Sequence, residues 1–266
     1  MYGLPDFTVG GALRQTFDIV RHHAGTLLGL TIVLYALPMA AIGLATTLGV
    51  APNADAFRAA AAAHRPMPDL TLFISFAAVT FLIQIGGTIL VVAAAVRVSY
   101  QGLYGRPASF GDGAGTSLRL LPANFVVIVV STLGIMLGSL LFVVPGVMLA
   151  CRWTAAVPAL VVERTGVLGS LGRSRDLTRN HRWSILGFLL VIALINGGIF
   201  AVVGLGGGAL ARTVGGVAGS AVGALVGLLV NTFVAALNGA SVTAMYFELR
   251  RVGDGVLSAE TVEAFA

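Results

Sequence analysis

The sequence predicts an all-α polytopic membrane protein: six transmembrane helices as three hairpins, each preceded by an interfacial amphipathic helix. Three observations lead there. First, 57% of the 266 residues are hydrophobic and only 10% are charged, against about 25% charged in soluble domains. A water-soluble fold has no way to hide that much apolar surface, and the mean hydropathy is +0.95. Second, six runs reach or approach the about 20 apolar residues that cross a bilayer core: 26–49, 70–96, 121–143, 145–163, 184–211 and 217–245. Third, the basic residues sort by loop. All sixteen are Arg, with no Lys, and twelve of them fall before the first span, between the second and third, between the fourth and fifth, or after the sixth. Cytoplasmic loops retain positive charge, so both termini are expected in the cytoplasm, and the membrane is expected to be a bacterial inner membrane. The net charge of +5 then faces anionic headgroups, not nucleic acid, at about 1 kcal/mol for each Arg near the surface.

The segment ahead of the first span, "VGGALRQTFDIVRHHAGTLLG" (9–29), is amphipathic. At 100° per residue Val9, Leu13, Thr16, Phe17 and Val20 share one face, and Arg14, Asp18, Arg21 and His22 share the opposite one. Such a helix lies in the interface with its apolar side down, and Asp18 is spaced for ion pairs with Arg14 and Arg21. The first apolar run follows a charged lead and is longer than the apolar core of a signal peptide, so no cleaved signal is expected despite "ADA" at 54–56. "FRAAAAAHRPMP" (57–68) reads as a short Ala-rich helix outside the membrane, ended by Pro66 and Pro68.

The pattern returns before the fifth span. In "VLGSLGRSRDLTRNHRWSILG" (167–187) Val167, Gly169, Leu171, Asp176, Arg179, His181, Leu186 and Gly187 match Val9, Gly11, Leu13, Asp18, Arg21, His23, Leu28 and Gly29 without a gap, eight identities in 21 positions. Asp, Arg and His falling in register is not an effect of shared apolarity. Val167, Leu168, Leu171, Ser174 and Thr178 form the apolar face here. Arg173, Asp176, Arg179 and Asn180 form the polar one, with Asp176 spaced for Arg173 and Arg179. A weaker copy opens at "SFGDGAGTSLRLLPANF" (109–125), where Phe110 and Gly113 match Phe7 and Gly10. The chain is therefore read as one membrane domain with pseudo-repeats near 5–105, 106–163 and 164–251, and a cytoplasmic tail at 252–266. Arg14, Asp18, Arg21, His23, Arg173, Arg175, Asp176, Arg179, His181 and Arg182 are its candidate headgroup contacts.

Within the spans, Arg152 is placed near the middle of the fourth, where a charge costs about 2.5–3.5 kcal/mol. Two readings stand for it: a polar cavity that receives a lipid headgroup, or an arginine that snorkels or bonds to the kink near Pro158. Glu163 and Glu248 end their spans beside Arg164 and Arg250, where a clamp between repeats outweighs proton relay. Cys151 reads as a small buried hydrophobe. Gln84, Asn196, Asn231 and Asn238 read as interhelical hydrogen-bonding groups, worth about 0.6 kcal/mol each. Gly215, Gly219, Gly223 and Gly227 recur at four-residue spacing, a stripe that admits a second helix closely, and "GLGGGA" (204–209) is a candidate break in the fifth span. His22, His23, His64 and His181 have no i, i+4 ligand pairing, and one Cys leaves no disulfide framework, so neither metal nor cofactor is expected. No Walker loop, activated serine or carboxylate pair stands out.

The stretch "VVPGVMLACRWTAAVPALVVERTGVLGSLGRSRDLTRNHRW" resembles the central segment of the membrane domain found ahead of some bacterial glycerophosphoryl diester phosphodiesterases, which also occurs in stand-alone, mostly uncharacterised multi-pass proteins. In that group a Pro-Gly, an Arg-Trp, a Pro, a Glu and an "ALxRSxxLxxG"-like helix follow in order. Here they are Pro145-Gly146, Arg152-Trp153, Pro158, Glu163 and Leu171 to Arg182, and "AMYFELRR" (244–251) resembles the group's ending. The resemblance implies the membrane module alone, since that group's chemistry belongs to a separate soluble barrel. The expectation is a non-enzymatic membrane protein that contacts lipids or scaffolds a larger assembly through an apolar helix face. The alternative is a small transporter or lipid-translocating protein with a polar cavity near Arg152.

Overall fold

The computed structural model describes residues 7–47, 62, 70–103 and 110–254. Every regular element among them is helical: α1 (Val9–Thr31), a π-helical turn (Ile32–Ala36), α2 (Leu37–Thr47), α3 (Leu70–Leu103), α4 (Phe110–Leu141), α5 (Val143–Trp153), α6 (Ala156–Glu163), α7 (Gly166–Thr178), α8 (Arg182–Val214) and α9 (Gly216–Asp254). Six stretches are long and apolar enough to cross a membrane: Val9–Thr46, Leu70–Gln101, Gly113–Leu140, Val143–Glu163, Arg182–Val214 and Ala221–Gly253. The protein is an all-α membrane protein with six candidate spans. The expected Ala-rich helix at 57–68, His64 and most of the tail lie outside the described residues.

The helix boundaries follow local chemistry. Thr8 opens α1 from an extended conformation, its hydroxyl accepting the Gly11 N–H at 3.2 Å, as an N-cap should. α5 stops at Thr154–Ala155 because Pro158 has no N–H for the Thr154 carbonyl, and Ala155 leaves helical geometry at φ −90°, ψ 5°. Arg164, at φ 51°, caps α6 by donating its N–H to Leu160 O. Gly215 and Gly216 turn α8 into α9 with φ of 66° and 55°, a left-handed pair that only glycine adopts cheaply.

Only the last of the three interfacial segments is a helix of its own. The first is continuous with its span and merely kinked at His23, at φ −116°, ψ 17°. The middle one runs unbroken into its span within α4, through Pro122. Consecutive spans do pack, α1 on α3, α4 on α5 and α8 on α9, but α3 packs as broadly on α4, and α1 on α9. The spans therefore share one bundle around the C-terminal half of α9, where Met245, Tyr246 and Leu249 are fully buried.

Burial is lopsided along the helices. The main core joins Phe7, Ala12, Cys151, Ala159, Phe188 and Tyr246, and a second cluster joins Leu27, Leu30, Ala94, Val98 and Ala240. All of these lie towards the end of the bundle where α8 begins and α9 finishes, which is also where most described arginines sit. At the opposite end Phe81, Leu137, Leu205 and Leu229 are exposed. Small residues set where helices approach most closely. A Cβ on Gly239 would lie 3.3 Å from Ala95 Cβ and 3.5 Å from Val91 O, so α3 and α9 nearly touch there. Towards the other end a Cβ on Gly138 of α4 would lie 3.3 Å from Gly146 Cα of α5, a second close approach.

Candidate functional site: the arginine-rich end of the bundle

Glu163 ends α6 and is held from two other helices. Arg173 Nε on α7 donates to both carboxylate oxygens at 3.0 Å, and the buried Tyr246 hydroxyl on α9 donates to Oε1 at 2.9 Å. The side chains of Arg173 and Glu163 retain 28% and 18% of their exposure. This half-buried, charge-assisted pair, with the tyrosine, ties three helices through one carboxylate. The expected neighbour, Arg164, is not its partner: the left-handed cap turns the chain so that α7 folds back and delivers Arg173.

Glu248 makes the second clamp. Its side chain is 7% exposed, and Arg251 grips it in a fork, Nη2 to Oε1 at 2.7 Å and Nε to Oε2 at 3.0 Å. Arg251 stands one turn on along the same face of α9 and fills this role. A Cβ at Gly11 would lie 3.0 Å from Glu248 Oε1, so the carboxylate also rests against the first turn of α1, where the helix dipole favours negative charge.

Arg152 lies midway along the candidate span Val143–Glu163, just before the break between α5 and α6. Its carbonyl, left without a helical donor by the break at Thr154–Ala155, accepts from Ser174 Oγ at 2.7 Å and, at 3.4 Å, from Thr178 Oγ1. The hydroxyl face of α7 therefore closes on the α5–α6 break. The Arg152 guanidinium lies within the field of Arg175, Arg182 and Asp176, at the arginine-rich end. A polar space of about 490 Å³ lies between α4, α6 and the α6–α7 turn, lined by Thr116, Arg119, Arg164 and three glycines; Arg152 is not among its lining residues.

The interfacial candidates divide. Arg14, Asp18, Arg21, Arg175, Asp176 and Arg179 are exposed, while His23, Arg173, His181 and Arg182 are half-buried. Asp18 makes no ion pair with Arg14 or Arg21 among the described residues; its carbonyl instead lies 2.9 Å from His22 Nδ1. Both repeat-equivalent histidines mark a change of direction, His23 at the kink of α1 and His181 in the turn before α8. Phe7 lies with its ring centroid 6.3 Å from that of His181, so the two similar segments touch. On the expected apolar faces Phe17 and Leu168 are exposed, Leu168 at 82%, while α1 and α7 bury the stripes Ala12–Thr16–Ile19 and Ser170–Ser174–Leu177 against the bundle.

The glycine stripe is not an interlock. Gly215 belongs to the α8–α9 turn, and Gly223 and Gly227 line a space of about 250 Å³ facing Phe200, Gly204 and Gly207 of α8. A Cβ at Gly227 would meet nothing within 4 Å. The "GLGGGA" stretch does not break α8, which is continuous to Val214. Of the intramembrane amides, Asn196 donates to Asn238 Oδ1 at 2.9 Å and joins α8 to α9, whereas Asn231 bonds within its own helix to Gly227 O. Cys151 is buried. No group of three His, Cys, Asp or Glu able to hold a metal occurs among the described residues. Sequence reasoning missed Tyr246 and the Ser174–Thr178 pair; the tyrosine stood in view within "AMYFELRR", and the hydroxyls were counted only as part of an apolar face.

These features define the class, an integral membrane protein whose helices are locked together at one end by partly buried carboxylates. The comparisons with known proteins agree. Residues 121–248, which contain both carboxylates, match the membrane domain of glycerophosphoryl diester phosphodiesterase. The chain is also 30% identical, over 130 residues, to UPF0259 membrane proteins of Yersinia pestis (strain Pestoides F) and Yersinia pseudotuberculosis (strain YPIII). The alignment covers 48% of this chain and 50% of those proteins, so the chain spans about half the length of the curated relatives it matches. No solved structure matches. The protein is a membrane protein similar to that membrane domain and to these relatives.

Proposed function

We propose that this chain is a non-enzymatic protein of the bacterial inner membrane, with both termini cytoplasmic, that contacts lipid and scaffolds a larger membrane assembly. The single observation that carries this reading is the lopsided packing. One end is a tight core clamped through Glu163 and Glu248, and the other presents large unpacked side chains such as Leu137, Leu140 and Leu205 to whatever surrounds it. In a bilayer that surface meets acyl chains or another apolar helix at no cost in hydration. The partly buried carboxylates are engaged in holding helices, which favours a structural role for them over acid–base work.

Purification in mild detergent with mass spectrometry of co-purifying molecules tests the proposal. Bound lipid, or a membrane protein at fixed stoichiometry, is the expected result; a chain recovered alone and lipid-free overturns it. Cysteine labelling tests the orientation. Positions 14 and 175 are expected to react from the cytoplasmic face and position 212 from the opposite one.

A further inference from the structure

The polar space between α4, α6 and the α6–α7 turn has an arginine on each of two walls. One wall is a single face of α4, where Thr116 and Arg119 lie, with Ala123 one turn further along. The other is Leu160 of α6 with Arg164 and Gly166 of the turn. Arg164 reaches that wall because its left-handed backbone ends α6, and Gly166, at φ 76°, turns the chain into α7. Helices that end this way ordinarily carry glycine at the left-handed position; here the position carries a guanidinium. Glu163, the neighbour of Arg164 in the chain, is engaged by Arg173 and Tyr246. Among the described residues no carboxylate lines the space, and neither Arg119 nor Arg164 forms an ion pair. Both side chains are exposed, so the core does not require them. Two guanidinium groups across one space repel each other, and an anion between them reverses the sign of the interaction. A carboxylate has two oxygens, and one planar donor fork occupies both; a phosphate keeps oxygens for a second fork. Thr116 adds a hydroxyl donor. α7 starts at Gly166 with no side-chain cap from Thr165, so the positive end of a helix lies at the same wall. The volume, about 490 Å³, is that of a small-molecule site, about 300–1,000 Å³.

We propose that this space binds one phosphate group, held between Arg119 and Arg164. The site stands without the lipid-contact reading, because a lipid headgroup and a free phosphate satisfy the same donors. The test uses the full chain in neutral detergent with two probes. One is radiolabelled inorganic phosphate, followed by equilibrium dialysis; the other is an equal mixture of phosphatidylglycerol and phosphatidylcholine, followed by native mass spectrometry. The expected result is one bound phosphate per chain, or one bound phosphatidylglycerol in preference to phosphatidylcholine. Arg119→Gln and Arg164→Gln should each weaken that binding about tenfold. Arg119→Lys and Arg164→Lys keep the charge but lose the fork, and should retain part of it. Arg212→Gln, at the far end of α8, should leave it unchanged. Binding of phosphatidylglycerol alone assigns the group to a lipid headgroup, and binding of inorganic phosphate alone to a soluble compound. Where both bind, displacement of the weaker by the tighter names the source. Binding of either probe that survives Arg119→Gln combined with Arg164→Gln overturns the site. Retained lipid without headgroup preference, and no bound phosphate, also overturns it while leaving general lipid contact standing. A chain that holds neither phosphate nor any lipid overturns both.

Discussion

Residues 9–29 and 167–187 share eight identities, yet the first folds as a kinked continuous helix and the second as a helix, a turn and a new helix. The difference traces to a few polar positions. His22 is replaced by Asn180, a poorer helix former that favours turns, and the break falls there. Gln15 is replaced by Arg173, which reaches Glu163. Val20 is replaced by Thr178, giving α7 two hydroxyls, Ser174 and Thr178, for the Arg152 carbonyl. In the first segment Thr16, the equivalent of Ser174, bonds back to Ala12 O within its own helix at 2.7 Å. One amphipathic plan thus serves two purposes. The first copy rests against its neighbours, while the second clasps the break between α5 and α6. The second also lies inside the span matched by the family model, and the first lies outside it.

Substitutions can break that contrast, the largest effect first. Glu163→Ala removes the acceptor shared by Arg173 and Tyr246 and leaves both donors half-buried. Unfolding in detergent by a denaturant series is expected to show a loss of about 2–4 kcal/mol, and Gln15→Ala, at the position equivalent to Arg173, a change within about 0.5 kcal/mol. Ser174→Ala with Thr178→Val strands the Arg152 carbonyl, so a loss of about 1–3 kcal/mol is expected. Thr16→Val, which removes only an intrahelical bond, should cost less than about 1 kcal/mol by the same measurement. Equal losses for the two variants would erase the distinction between clasp and rest.

A smaller effect sharpens the comparison. Asn180→Ala restores helix propensity in the turn by a few tenths of a kcal/mol. Spin labels on exposed positions of α7 and α8 are expected to keep their wild-type separation, since the clasp and not the turn residue holds α7 back. An increase in that separation would assign the break to Asn180 alone. Smallest of all is Asp18→Asn, expected to leave stability within about 0.5 kcal/mol because Asp18 is exposed and makes no ion pair with Arg14 or Arg21. A marked loss would revive the helix-spaced pair that the spacing suggested.

The amphipathic plan was legible because periodicity is local. The partners were not. Arg173 sits ten residues from Glu163, and Tyr246 sits 83 away, and no hydropathy pattern carries the crossing of α9 over α6. The glycine stripe misled for a related reason. Spacing shows that a helix has a smooth face but not whether another helix arrives there, and close approaches came at Gly239 against Ala95 and at Gly138 against Gly146. Counting along a run placed Arg152 midway between Val143 and Glu163 but could not show that its carbonyl is held by α7 at the break before Pro158.

Hydropathy, arginine distribution and the repeated segment determined the medium, the six candidate spans and the charged end, since transfer free energy adds up residue by residue along the chain. Only the tertiary structure decided which arginine meets which carboxylate, what holds the Arg152 carbonyl, and that the core occupies one end alone. Those outcomes depend on how closely two helix surfaces approach in space, a property of residue pairs far apart in sequence.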